Sequence, residues 1–176
     1  MGALPNIIEG QEPGIYPWFA LRIRSRFEKI TATVLRGKGF EEFSPSYRSR
    51  RTWSDRVKEI DLPLFPGYMF CRFDPLDRLP ILSTPGVVSI VGIGKFPRPV
   101  EDHEIEQVQA ILASGVSAQP WPFLAIGQRV RISGGSLTGL EGFLVNFKNS
   151  YRLVVSVTLL QRSVAVEIDR DCIQPS

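Results

Sequence analysis

Arg48, Arg50, Arg51, Arg56 and Lys58 fall close together around Trp53. Cationic side chains neutralise phosphates and an interleaved indole can stack on a base, so this spacing points to nucleic-acid contact, with a solvated basic surface as the plain alternative. The wider charge balance favours contact. From Trp18 to Lys58 there are eleven Lys/Arg against four Asp/Glu, and from Glu59 to Pro122 four against eight. A basic half beside an acidic half suits nucleic acid on one side and a protein on the other.

Catalytic chemistry finds no comparable set. His103 is the single histidine and lies at an acidic helix start, so neither a Ser-His-Asp triad nor a histidine metal site is easy to build around it. Glu101, Asp102, Glu104 and Glu106 read as a first helical turn, where the helix dipole favours negative charge without any chemistry. Cys71 and Cys172 have no CxxC partner and read as reduced and structural. Gly92-Ile93-Gly94-Lys95 lacks the spacing of a phosphate loop and a Ser or Thr after its lysine. No catalytic residue, cofactor or metal is expected, and the chain reads as a non-enzyme.

The elements that must position the basic cluster begin at Trp18. Trp18 to Ile23 alternates as a strand, with Phe19, Leu21 and Ile23 on one face and Trp18, Ala20 and Arg22 on the other. Phe27, Ile30, Val34 and Leu35 form a helical stripe that Gly37 and Gly39 end. Phe40 to Phe43 makes a second strand, and Tyr47 to Ile60 a basic hairpin or loop. The chain is organised around Leu62-Pro63-Leu64-Phe65-Pro66-Gly67-Tyr68-Met69-Phe70. Pro66 and Gly67 force a stiff turn, so Phe65 and Tyr68 are expected at a rigid strand entrance, with Met69 and Cys71 buried on the opposite strand face from Tyr68. Asp74 to Leu82 can form a short helix broken at Pro80, Val87 to Val91 a strand, and Asp102 can cap a helix whose apolar face is Ile105, Val108, Ile111 and Leu112.

Residues 115–122 have linker composition, and the pattern changes after them. Val130 to Ile132, Phe143 to Phe147, Tyr151 to Val157 and Val164 to Ile168 are short, closely spaced strands, the pattern of a small barrel that removes its own edges. The expected division is a leader (1–15), an α/β domain (16–114), a linker (115–122) and a barrel (123–176). The fold class is α+β: a sandwich with a mainly antiparallel sheet, then a small all-β barrel. No apolar run approaches the roughly 20 residues of a membrane span and the start lacks a signal-peptide pattern, so a cytoplasmic monomer without a membrane partner is expected.

These residues resemble the NusG-type transcription elongation factors over about 16–176. Trp18-Phe19-Ala20-Leu21, the helix containing Glu28, the basic hairpin, Pro63 to Tyr68, Pro85-Gly86-Val87 and the Glu104-Ile105 helix are similar, in that order, to the amino-terminal NusG domain. Gly127 to Ile132 with Gly135, Gly139 and Gly142 resembles the KOW motif that opens an SH3-like barrel. The resemblance implies a factor that docks on RNA polymerase through an apolar surface and suppresses pausing and termination. By position it assigns Trp18, Phe19, Phe65 and Tyr68 to polymerase docking, with Phe19 where a tyrosine is common. Arg48, Arg50, Arg51, Arg56 and Lys58 would then lie near upstream DNA. A small-subunit ribosomal protein or Rho is the implied partner of the KOW barrel. Gly135-Ser136-Leu137 departs from the family's usual Gly-Pro-Phe, and the strands from Leu153 to Val164 look more like specialised paralogues serving long operons. The alternative is a free RNA-binding or ribosome-associated KOW module that acts without polymerase.

Overall fold

The computed structural model describes residues 16–124 and 127–176; the expected leader, 1–15, lies outside them. The first half runs β1 (Trp18–Ile23), α1 (Glu28–Gly37), β2 (Glu41–Phe43), β3 (Ser46–Trp53), β4 (Arg56–Pro63), β5 (Tyr68–Arg72), α2 (Leu79–Leu82), β6 (Val87–Ile90), β7 (Gly92–Ile93), β8 (Phe96–Pro97), β9 (Pro99–Val100) and α3 (Asp102–Ala113). The second runs β10 (Ala118–Trp121), β11 (Gln128–Ile132), β12 (Glu141–Phe147), β13 (Ser150–Val157), β14 (Arg162–Ile168) and β15 (Ile173–Pro175).

β1 is the centre of the first sheet, whose order is β2-β5-β1-β6 with β9 also paired to β1. All of these pairings are antiparallel. Because side chains alternate along a strand, β1 feeds two cores. Phe19, Leu21 and Ile23 join Met69 and Cys71 against Ala32 and Leu35 of α1 and Ile81 of α2. Trp18 and Ala20 join Phe65 and Phe70 against Ile105, Val108 and Ile111 of α3. The expected split of β1 holds, and both faces are buried except at Arg22. Met69 and Cys71 are buried as expected, and Phe70 is buried on the opposite, α3 side.

Three local expectations are corrected by packing. The buried stripe of α1 is Thr31, Ala32 and Leu35, whereas Ile30 is 52% exposed. Residues 27, 31 and 35 recur at intervals of four and stack on one face, and position 30 falls outside that row. Phe27 and Thr31 lie against Gly86, and the Thr31 hydroxyl donates to the Pro85 carbonyl at 2.7 Å. Pro80 opens α2 instead of breaking it, since a proline in the first turn has no intrahelical bond to lose. Asp102 is the first helical residue of α3 and the cap position is Glu101, with no side-chain cap hydrogen bond.

The second half is an antiparallel six-stranded sheet in the order β10-β14-β13-β12-β11-β15. Its inward residues, among them Val130, Ile132, Leu153, Val155, Val157, Val164 and Val166, converge on one apolar core. The segment read as a linker, 115–122, supplies β10, in which Ala118 to Trp121 pair with Val166 to Ser163. Proline-rich composition hid it; β10 has a single hydrogen-bonded neighbour, and an edge strand tolerates Pro120. Lys148 and Asn149 both take left-handed conformations in the β12–β13 turn, the geometry that matches strand twist in a two-residue hairpin.

The core on the α3 side of the first sheet and the core of the barrel are continuous. The cluster that holds Trp18 and Phe65 runs through α3 to Leu153, Val157 and Leu160 of the barrel. Two side chains of α3 also reach the barrel: Glu104, which accepts from Thr158, and Gln107, whose amide donates to the Glu141 carbonyl at 2.9 Å.

Candidate functional site

The expected docking aromatics separate when the chain folds. Trp18, Phe19 and Phe65 are 2%, 2% and 1% exposed, and Tyr68 is half-buried. Phe19 lies on the α1 side, with its ring centroid 4.7 Å from that of Phe73. Trp18, Phe65 and Tyr68 lie on the α3 side. Phe65 is therefore not presented at the strand entrance: its ring meets Phe70 edge to face at 5.4 Å, and Phe70 stacks in turn on Phe43 at 6.1 Å. Phe43 reaches Trp18 at 6.3 Å. The turn before β5 does what its residues dictate, with Gly67 at φ 81°, and its stiffness serves the core more than the surface. Arg72 roofs this row, its guanidinium carbon 4.7 Å above the Trp18 ring, and it donates to the Tyr16 carbonyl at 2.7 Å. Sequence alternation gave Trp18 and Phe19 opposite faces; which face meets α3 depends on where a helix distant in sequence returns.

The basic cluster is a β-hairpin, β3 and β4, joined at Ser54-Asp55 and, among the described residues, paired only with each other. All five of its expected contact residues are exposed, and Trp53 is 65% exposed. Cross-strand register divides them, because residues directly opposite share a face. Arg48 faces Asp61 and Arg50 faces Glu59, the second pair bridging at 3.1 Å. Arg51 faces Lys58 and Trp53 faces Arg56. One face is thus largely neutralised within the ribbon. Among the described residues the hairpin's ion pair is Arg50–Glu59, and Arg51, Arg56 and Lys58 have no carboxylate within ion-pair distance. At the tip, Trp53, Ser54, Asp55, Arg56 and Lys58 line a shallow concavity of about 270 Å³.

On the barrel, sequence reading missed a second cationic aromatic cluster. Arg152 lies over Trp121 at 5.1 Å and over Phe147 at 4.8 Å, and the two rings meet edge to face at 5.4 Å. Lys148 stands 5.2 Å from the Phe147 ring. Trp121 was hidden in the apparent linker, so no signal in the sequence linked it to Arg152. In the loop after β11, Leu137 turns inward and is 6% exposed, leaving Ser136 at the surface.

No group of His, Cys, Asp or Glu that could hold a metal occurs among the described residues, and no helix among them is long and apolar enough to cross a membrane. The family model described as transcription termination factor nusG matches residues 16–109, more than half of the chain and all of β1 through β9. The chain belongs to the NusG family. The NusG transcription termination/antitermination protein of Borreliella burgdorferi is 25% identical over 86% of this chain and 94% of its own length. That of Lactococcus lactis is 28% identical over 71% of this chain and 69% of its own. Among solved structures, one of Thermotoga maritima NusG, titled for its domain interaction, matches with a TM-score of 0.52 at 18% identity, covering 90% of this chain and 96% of that one. That likeness extends the shared fold beyond the family match into the NusG-like barrel.

Proposed function

We propose that this NusG-family protein is a non-enzymatic transcription factor that binds RNA polymerase in the cytoplasm and suppresses pausing and termination on a specialised set of long operons. The family match over the residues that build the β1-centred sheet carries this reading. The docking surface is the border of that sheet at half-buried Tyr68, which packs against the core holding the Trp18–Phe43–Phe70–Phe65 row. Phe19 supports it from the other face. The β3–β4 hairpin lies toward nucleic acid, and the barrel recruits a second protein, a small-subunit ribosomal protein before Rho because the loop carries Ser136-Leu137 in place of Pro-Phe. The working division is a docking unit of 16–114 and a barrel that takes in β10.

The test is co-purification of the tagged full chain with RNA polymerase from the host bacterium. Tyr68→Ala should abolish recovery of polymerase while circular dichroism shows the variant still folded at the assay temperature, and Tyr68→Phe should retain most of it; normal recovery with Tyr68→Ala would overturn the docking surface. The barrel's Trp121–Arg152–Phe147 cluster favours one alternative, direct RNA binding without polymerase. Retention of structured RNA on a filter in the absence of polymerase, lost in Arg152→Ala, would select it.

A further inference from the structure

We propose that one face of the β3–β4 hairpin, made by Arg51, Trp53, Arg56 and Lys58, is a binding site for single-stranded nucleic acid, with a base stacked on Trp53 and its flanking phosphates held by the three cations. This rests on reading the hairpin as a nucleic-acid contact and narrows it to one face and one form of strand.

Register supplies the first support. Arg51 opposite Lys58 and Trp53 opposite Arg56 put three cations and an indole on adjacent cross-strand pairs of one face. Like charges directly opposite each other destabilise a ribbon, so this face has a cost that a bound anion removes. The other face has no such cost, since Arg48 and Arg50 stand opposite Asp61 and Glu59. Exposure supplies the second: an indole 65% exposed at a hairpin tip contributes little to its own fold. The concavity beside it is lined by Trp53, Ser54, Asp55, Arg56 and Lys58, so ring and two of the cations border the same space. Asp55 is the one carboxylate there, and it sits in the turn beside Arg56.

The indole decides between strand forms. A duplex presents phosphates outward and hides the faces of its bases, so it could engage the cations but not the ring. A single strand offers phosphates and an unstacked base together, and stacking on an aromatic side chain tolerates any base. DNA and RNA strands share this chemistry.

The experiment measures binding of the full chain by fluorescence anisotropy to labelled oligothymidylate and oligouridylate of about 15 nucleotides, and to a duplex of the same length. Preference for a single strand of either sugar is expected. Trp53→Ala should weaken it by about tenfold, and Trp53→Phe should restore most of the loss. Arg51→Ala with Lys58→Ala should weaken it more and flatten its salt dependence, whereas Arg48→Ala with Arg50→Ala should change it by less than about threefold. All these side chains are exposed, and circular dichroism checks that each variant folds. Equal losses from the two double variants, a neutral Trp53→Ala or tighter binding of duplex would overturn the inference while leaving the hairpin as a phosphate contact. Absence of any binding by the unaltered chain would overturn both.

Discussion

Glu104 of α3 accepts two hydrogen bonds from Thr158, which directly follows β13, one from the backbone N–H at 3.1 Å and one from the hydroxyl at 2.7 Å. Glu104 is only 7% exposed, so the bonds compensate the loss of water around its carboxyl group. Thr158→Val keeps the shape and removes the hydroxyl donor. It should cost about 1–2 kcal/mol in urea unfolding, as expected for a hydrogen bond to a largely buried acidic group. Glu104→Leu should cost less than Glu104→Ala, because the leucine refills the volume between α3 and the barrel.

Phe65 and Tyr68 differ in role although three residues apart. Phe65→Ala opens a cavity beneath Phe70 and should destabilise the fold by about 3–5 kcal/mol, while half-buried Tyr68→Ala should cost well under half of that. Thermal unfolding of the two variants checks it.

Gly86 lies at φ 91°, and a Cβ there would approach the Thr31 hydroxyl and come within 2.7 Å of the Phe27 Cβ. Gly86→Ala should cost about 1–3 kcal/mol from backbone strain alone, with crowding added. A melting curve that is unchanged would refute the close packing of this turn against α1.

Burial pushes the Cys71 thiol from 9.0 up to about 12, with Glu42 and Glu41 adding to the rise. Its protonated form is favoured in the fold, so its contribution to stability is whole below about pH 9 and is lost as pH rises toward 12. At pH 8 a thiol reagent should therefore modify half-buried Cys172 and spare Cys71 until denaturant is added. Prompt reaction of both thiols in the native protein would contradict the burial of β5.

What the chain determined by itself was local: the alternation of β1 and β13, the positive-φ turn at Gly67, the strands of the barrel, and a cluster of cations around Trp53. These follow from side-chain period and backbone freedom, which neighbours in sequence settle. Tertiary structure decided what those elements face. Phe65 became core because Phe70 and the α3 cluster close over it, and Ile30 was left in water because Phe27, Thr31 and Leu35 take the row against the Gly86 turn and the sheet. β10 was illegible because a strand with two prolines in its surroundings is defined by its partner β14 and not by its own composition. The same holds at the hairpin: the sequence placed five cations together, and only the register, with Arg50 opposite Glu59 and Arg51 opposite Lys58, divided them between a face with carboxylates opposite and a face without.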